Sequence, residues 1–206
     1  MTTVIVPGIP FPLTPDGSPP CQYQLTAGAL ALSSAPRTDL FIDPAGHGQQ
    51  PTAGRLVGTP PDGDFALAAR VSVDFASKFD AGVLLVYADE AHWAKLCFEY
   101  SPQLTPMAVT VVTRGYSDDC NSFEVAGRSL WLRITRTGSA LAFHASTDGQ
   151  WWRLLRYFTL STVPAGPLAG VNVGFLAQSP AGQGCTATFD QLSFSSSVPA
   201  DLRDGS

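Results

Sequence analysis

Lys95 and Glu99 are where the sequence first suggests chemistry. They stand in HWAKLCFEY, residues 92–100, a run that alternates strictly between apolar and other positions. The chain holds only two lysines (Lys78, Lys95) and three glutamates (Glu90, Glu99, Glu124), so one of each on a single short segment is a concentrated use of charge. On a strand, residues i and i+2 share a face. With Leu96, Phe98 and Tyr100 turned to a core, Lys95 and Glu99 share the opposite face with Trp93. Four residues of strand span about 13 Å by rise alone, so each is expected to meet a neighbouring strand rather than the other. Such a face can hydrogen-bond a polar ligand, or it can be a solvated surface with cross-strand ion pairs.

Two further segments are rich in hydrogen-bonding groups. VVTRGYSDD (111–119) places Thr113, Arg114, Tyr116, Ser117, Asp118 and Asp119 at an expected strand end and turn. These suit sugar hydroxyls or a cation loop, or a turn that caps its own backbone. AQSPAG (177–182) offers Gln178 and Ser179 at another turn. TDLFIDP (38–44) carries Asp39 and Asp43, which suit either a calcium loop or ordinary Asp turns, the latter preferred. Other chemistry finds little footing. There is no G-x-S-x-G elbow and no phosphate loop, since GQGCT precedes a strand. His47, His92 and His144 lack metal spacing, and Cys21, Cys97, Cys120 and Cys185 form no CxxC pair. No metal and no cofactor is expected.

The positioning elements read as strands. DFALAARVSVDF (64–75) has period two, and apolar runs recur about every ten residues at 82–89, 92–100, 107–114, 129–136, 140–146, 151–158, 170–179 and 185–194. A short strand is expected over 28–33. Thr137-Gly138-Ser139 and Asp148-Gly149 are hairpin signals. Residues 37–54 read as a long loop, from their Gly, Pro and Asp punctuation. Residues 1–26 read as an extended arm at the domain edge, 27–195 as the domain, and 196–206 as a polar tail that frays. Trp131 and one of Trp151 and Trp152 are expected in the core, with Ser146 and Asp148 shaping the turn before Trp151.

Composition agrees. Charged residues are 14% and apolar ones 45% of 206. Glycines (19) and prolines (17) are together about a sixth of the chain, above the usual share of about 12%. This excludes a coiled coil, a helical bundle and a charge-rich disordered chain. The net charge of −5 and the lack of any basic cluster exclude a nucleic-acid footprint or a basic membrane helix. No apolar run is long enough to span a bilayer. The first residues lack the charge and apolar run of a secretory signal, and the scattered cysteines read as buried free thiols. The expected location is cytoplasmic.

Taken together, TDLFIDP, residues 64–89, HWAKLCFEYSP, VVTRGYSDDCNS, WLRITRTG, FHASTDGQWWRLLRYF and GFLAQSPAGQGCTATFDQLSF resemble the DUF1349 family, across about residues 27–195. That family sits in the concanavalin A-like lectin/glucanase superfamily and includes a fungal protein named for regulation of enolase. The resemblance implies an all-β, concanavalin A-like jelly-roll sandwich of two curved antiparallel sheets, with Lys95 and Glu99 facing a concave groove. Their K-x-x-x-E spacing, and the V-T-x-G-x-S-D pattern around Thr113 to Asp118, match the family. It implies no established activity. Glucanases of the superfamily place paired carboxylates as E-x-D-x-x-E or E-x-D-x-E on one strand, and this chain lacks both. Asp118 or Asp74 across the groove is the remaining partner for Glu99.

Three readings follow. The first is a lectin-like module that holds a carbohydrate or polar sugar-derived metabolite through Trp93, Lys95, Glu99, Thr113, Arg114, Ser117, Asp118 and Gln178. In it Glu99 accepts hydroxyl hydrogens while Lys95 and Arg114 donate, and the mixed charges suit sugar acids and phosphates as well as neutral glycans. The second is a carbohydrate-active hydrolase or lyase with Glu99 as acid or base. The third is a protein-interaction domain acting on a partner enzyme.

Overall fold

The computed structural model describes residues 3–161, 168 and 170–206, and every regular element among them is a β-strand. The strands are β1 (Thr14–Asp16), β2 (Gln22–Thr26), β3 (Ala29–Ser33), β4 (Leu40–Ile42), β5 (Gln49–Pro51), β6 (Arg55–Gly58), β7 (Phe65–Val73) and β8 (Ala81–Asp89). They continue as β9 (His92–Tyr100), β10 (Pro106–Arg114), β11 (Tyr116–Glu124), β12 (Ser129–Thr137), β13 (Ala140–Ser146), β14 (Arg153–Phe158), β15 (Asn172–Gln178) and β16 (Thr186–Ser195). Two antiparallel sheets of seven strands, ordered β1-β6-β15-β8-β9-β10-β11 and β14-β13-β12-β7-β16-β3-β2, form the jelly-roll sandwich.

Period-two patterning decides which side chains fill the sandwich. Leu84, Val86, Leu96, Phe98, Val112 and Phe175 of the first sheet meet Leu30, Leu32, Leu67, Val71, Leu132 and Phe189 of the second. The N-terminal segment adds Val4, Val6, Ile9, Phe11 and Leu13 to this core. It then supplies β1 to the edge of one sheet and β2 to the edge of the other.

A second apolar cluster lies on the outer face of the first sheet. Val83, Leu85, Trp93, Cys97, Val109, Val111 and Leu176 form its floor, and Leu40, Ile42, Ala53 and Val57 join them. The cover is the β4–β5 hairpin, where a long loop was expected. Three-residue strands among glycines and prolines carry too little alternation to be read as a hairpin. The face expected to be an open groove is therefore roofed along part of its length.

Other expectations change. VVTRGYSDDCNS does not end in a turn: Tyr116–Glu124 is an edge strand paired along β10. Water solvates its outer edge, so its sequence carries no apolar alternation. The polar tail lies against the second sheet. Leu202 O accepts from His144 Nε2 at 2.7 Å, and Gly205 O from Arg133 Nη2 at 2.8 Å. The Arg133 guanidinium stacks on Trp152 at 4.3 Å. Trp151 is exposed rather than packed, although its N–H donates to Asp148 Oδ1 and Ser146 shapes the turn as expected. Trp131 is half-buried and lies over Gly149, whose φ of +75° leaves no room for a Cβ against the indole. All four cysteines are free thiols, but Cys120 is exposed. Burial pushes the thiols of Cys21 and Cys185 up to about 11 and about 12, which leaves them unreactive.

Candidate functional site

The β9 register sets out the outer face in rows. Lys95 lies beside Leu85 on β8 and Val111 on β10, with Asp119 of β11 beyond. Two residues along, Cys97 lies between Val83 and Val109, with Asn121 beyond. Glu99 follows, next to Ala81, whose other neighbour is Gln178 of β15. Three polar corners thus surround an apolar floor.

The segment before β4 closes a fourth side. Thr38 and Ser179 form a backbone bridge, which pins this segment to the end of β15. Asp39 accepts backbone hydrogens from Leu40, and its carbonyl accepts from Thr52 and Ala53, so its carboxylate is held in place. Beneath, Ser179 Oγ donates to the buried Asp80, which also accepts the N–H groups of Ala76 and Ser77. This fixes the turn that carries Phe79. Phe79 sits at φ +70°, in the left-handed region that non-glycine residues avoid. Such strain costs on the order of 1 kcal/mol and tends to accompany functional sites.

These elements enclose a cavity of about 310 Å³. Phe41, Phe79, Val109, Val111, Pro102 and Pro180 give it apolar walls, and Asp39, Lys95, Glu99, Asp119, Asn121 and Gln178 bring polar groups to it. That composition is the one small-ligand sites share. Lys95 is 2% exposed, and its Nζ donates to Gln178 Oε1 at 2.9 Å and to Asp39 Oδ1 at 3.4 Å. Burial opposes its charge most strongly, but Asp39 together with Cys97 and Glu99 outweighs burial and raises its pKa. Glu99 is 8% exposed, and its carboxyl has no hydrogen-bond partner among the described residues. Burial, reinforced by Asp39 and Asp119 and opposed by Lys95, pushes its pKa up to about 8. At neutral pH Glu99 is therefore mostly a neutral acid, a donor aimed into a hollow. In two other hollows, of about 360 and 340 Å³, the carboxylates and guanidiniums are exposed or, like Arg55 with Asp16, already paired.

The expected site residues separate. Lys95, Glu99 and Gln178 meet at the cavity. Trp93, Thr113 and Ser117 stand on the same face but under the hairpin. Trp93 is fully buried. Thr113 Oγ1 and Ser117 Oγ lie 2.9 Å apart, and Ser117 Oγ accepts the Ile42 N–H at 2.9 Å, fastening β4 down. These three hold the roof rather than line the cavity. Arg114 points away by strand parity and donates to the Thr159 carbonyl at 3.4 Å. Asp118 pairs with Arg156 of the second sheet at 2.7 Å. Its neighbour Asp119 is the one that reaches the cavity. Asp74, the other expected partner for Glu99, instead accepts the Thr186 N–H.

Asp39 and Asp43 have different fates. Asp43 caps Ala45 and pairs with His47, while Asp39 serves the cavity. Among the described residues, no cluster of His, Cys, Asp and Glu is arranged to hold a metal. Asp39 as a cavity residue, Phe41 and Phe79 escaped sequence reasoning, which named Asp119 only among the polar residues of a turn and did not reach Asn121. Period two through Ser117, Asp119 and Asn121 is the signal that could have found the last two.

Comparison with known proteins gives a family and a fold. The model described as a protein of unknown function (DUF1349) matches residues 18–197. No curated protein matches the chain. A functionally unknown protein from Saccharomyces cerevisiae is similar over 91% of this chain and 97% of its own, with a TM-score of 0.74 and 24% identity. The GH43 protein BlXynB from Bacillus licheniformis matches 91% of this chain with a TM-score of 0.70 and 17% identity. A xylan β-1,4-xylosidase from Bacillus halodurans matches 84% of it with a TM-score of 0.64 and 11% identity. The chain spans 37% of the length of each of these two larger proteins.

Proposed function

We propose a function for a chain that belongs to the DUF1349 family, a family described without an activity: the cavity beside β9 binds a carbohydrate or a polar sugar-derived ligand. One observation carries this reading. Glu99 is buried, unpartnered and directed into a hollow that also gathers Lys95, Gln178 and two aromatic walls. Its carboxyl opens onto the cavity and is free to bond a ligand hydroxyl, and Phe41 and Phe79 offer apolar walls to a sugar ring. The likeness in fold to a GH43 protein and to a xylan β-1,4-xylosidase adds support of a general kind.

The test is a thermal-shift panel of mono- and oligosaccharides, sugar phosphates and uronic acids, each with and without calcium. A ligand at 100 times its Kd adds about 2.7 kcal/mol, which raises Tm by about 5–10 °C in a domain of this size. A saccharide hit lost in Glu99→Gln supports the site. A hit that survives Glu99→Gln and Lys95→Ala unchanged places binding elsewhere.

A second reading, a hydrolase or lyase using Glu99, draws on a separate observation. Asp39 and Asp119 line the same cavity, and burial keeps Glu99 protonated, as a general acid must be. Turnover of a bound oligosaccharide, abolished by Glu99→Gln, is its mark.

A further inference from the structure

The donors and charges of the cavity also restrict which polar ligand it takes. Four ionisable side chains line it: Asp39, Lys95, Glu99 and Asp119. Lys95 is the cation among them, and its charge is already committed. Asp39 and Gln178 accept two of its three hydrogens, and the face of Trp93 lies 5.6 Å from Nζ. Lys78 is the nearby second lysine, but it is exposed and sits 5.7 Å over the Phe79 ring, outside the lining. Asp119 brings a further carboxylate that no side chain neutralises among the described residues. Glu99 is held neutral by burial. One paired cation thus faces two carboxylates.

An arriving phosphate or carboxylate finds no uncommitted cation and has Asp119 as a neighbour. Recognition of such groups ordinarily uses an arginine fork or a free ammonium. The nearest guanidiniums are used elsewhere: Arg156 by Asp118, Arg55 by Asp16, and Arg114 off the face. A hydroxyl finds complementary partners. The Glu99 O–H donates, the Asp119 carboxylate accepts, and the Asn121 amide does both.

We propose that this cavity selects uncharged polyhydroxylated ligands, neutral sugars or polyols, and turns away their phosphorylated and carboxylated counterparts. The proposal rests on the sugar-binding reading of the same cavity and narrows its ligand class.

Calorimetric titration of the whole chain at pH 7 and low ionic strength, with matched trios, tests it. Glucose, glucose 6-phosphate and glucuronate form one trio; galactose, galactose 1-phosphate and galacturonate another; xylose- and cellobiose-based sets extend them. The expected result is binding of a neutral member, with its anionic counterparts at least about tenfold weaker. Asp119→Asn should then narrow that gap by about threefold to tenfold. Asp119 is exposed and its side chain holds no hydrogen bond among the described residues, so this variant keeps its fold. An anionic member that binds as tightly as its neutral parent, and is lost in Glu99→Gln, overturns the selectivity while leaving the site intact. A panel with no binding member overturns both the selectivity and the sugar-binding reading.

Discussion

Trp93 and Glu99 stand on one strand and one face, six residues apart, yet belong to different worlds. Around Trp93 the β4–β5 hairpin lies directly on the sheet, held by the hydrogen bond from Ile42 to Ser117, and the face becomes a second core. Around Glu99 the covering segment touches down through Asp39 and Thr38, and a cavity opens. In the roofed half Thr113 bonds Ser117 and Ser117 bonds the hairpin backbone, while the Trp93 indole N–H is buried without a partner among the described residues. In the open half Glu99 is left over. A single strand face can thus be split into structure and site by where a cover touches it.

The comparison breaks most readily at Trp93. If the roofed half is core, Trp93→Ala costs about 3–5 kcal/mol, measured by urea unfolding, while the fraction that remains folded keeps its ligand affinity. A variant of near-normal stability with lost affinity would instead move Trp93 into the site.

Glu99→Gln sharpens the other half. From about pH 4.5 to 8 the carboxyl of the unfolded chain is ionised while that of the folded chain still holds its proton. Folding then takes up a proton, so this group makes stability fall as pH rises through that window, and the loss is complete above about 8. Glutamine carries no such loss. The variant should match the parent near pH 4 and exceed it near pH 8 by on the order of 3 kcal/mol. Parallel stability curves across that range would show that Glu99 ionises as an ordinary carboxylate.

The smallest effects are expected off the face. Arg114→Ala should change stability by no more than about 0.5 kcal/mol, and Asp118→Ala, which breaks an exposed pair with Arg156, by about 0.2–1 kcal/mol. Neither should alter sugar affinity. A tenfold loss in either would mean that the boundary between face and rim is drawn in the wrong place.

Much of this was legible from residue order. The bounds of β9 and β13 follow from alternation alone, because both are central strands whose two faces differ in environment. Lys95 and Glu99 were identifiable because charge is rare in this chain and parity put both opposite Leu96 and Phe98. β11 was not legible. It is an edge strand with polar residues on both faces, and SDD reads equally as a turn. That error carried Asp118 into the expected site and left Asp119 out, since a strand turns adjacent residues to opposite sides. The β4–β5 hairpin was missed because its strands are three residues each, too short for a period to register.

The amino-acid order determined, then, an all-β domain, its apolar interior and the strand on which the candidate site lies. These are local properties, set by a two-residue repeat and the turns between repeats. Tertiary structure alone decided which part of that face stays open. It also decided that Asp39, 56 residues before Lys95 in the chain, would neutralise it, and that Glu99 would be left a neutral donor. Those outcomes depend on contacts between segments distant in sequence and on the burial they create, and neither leaves a mark in local pattern.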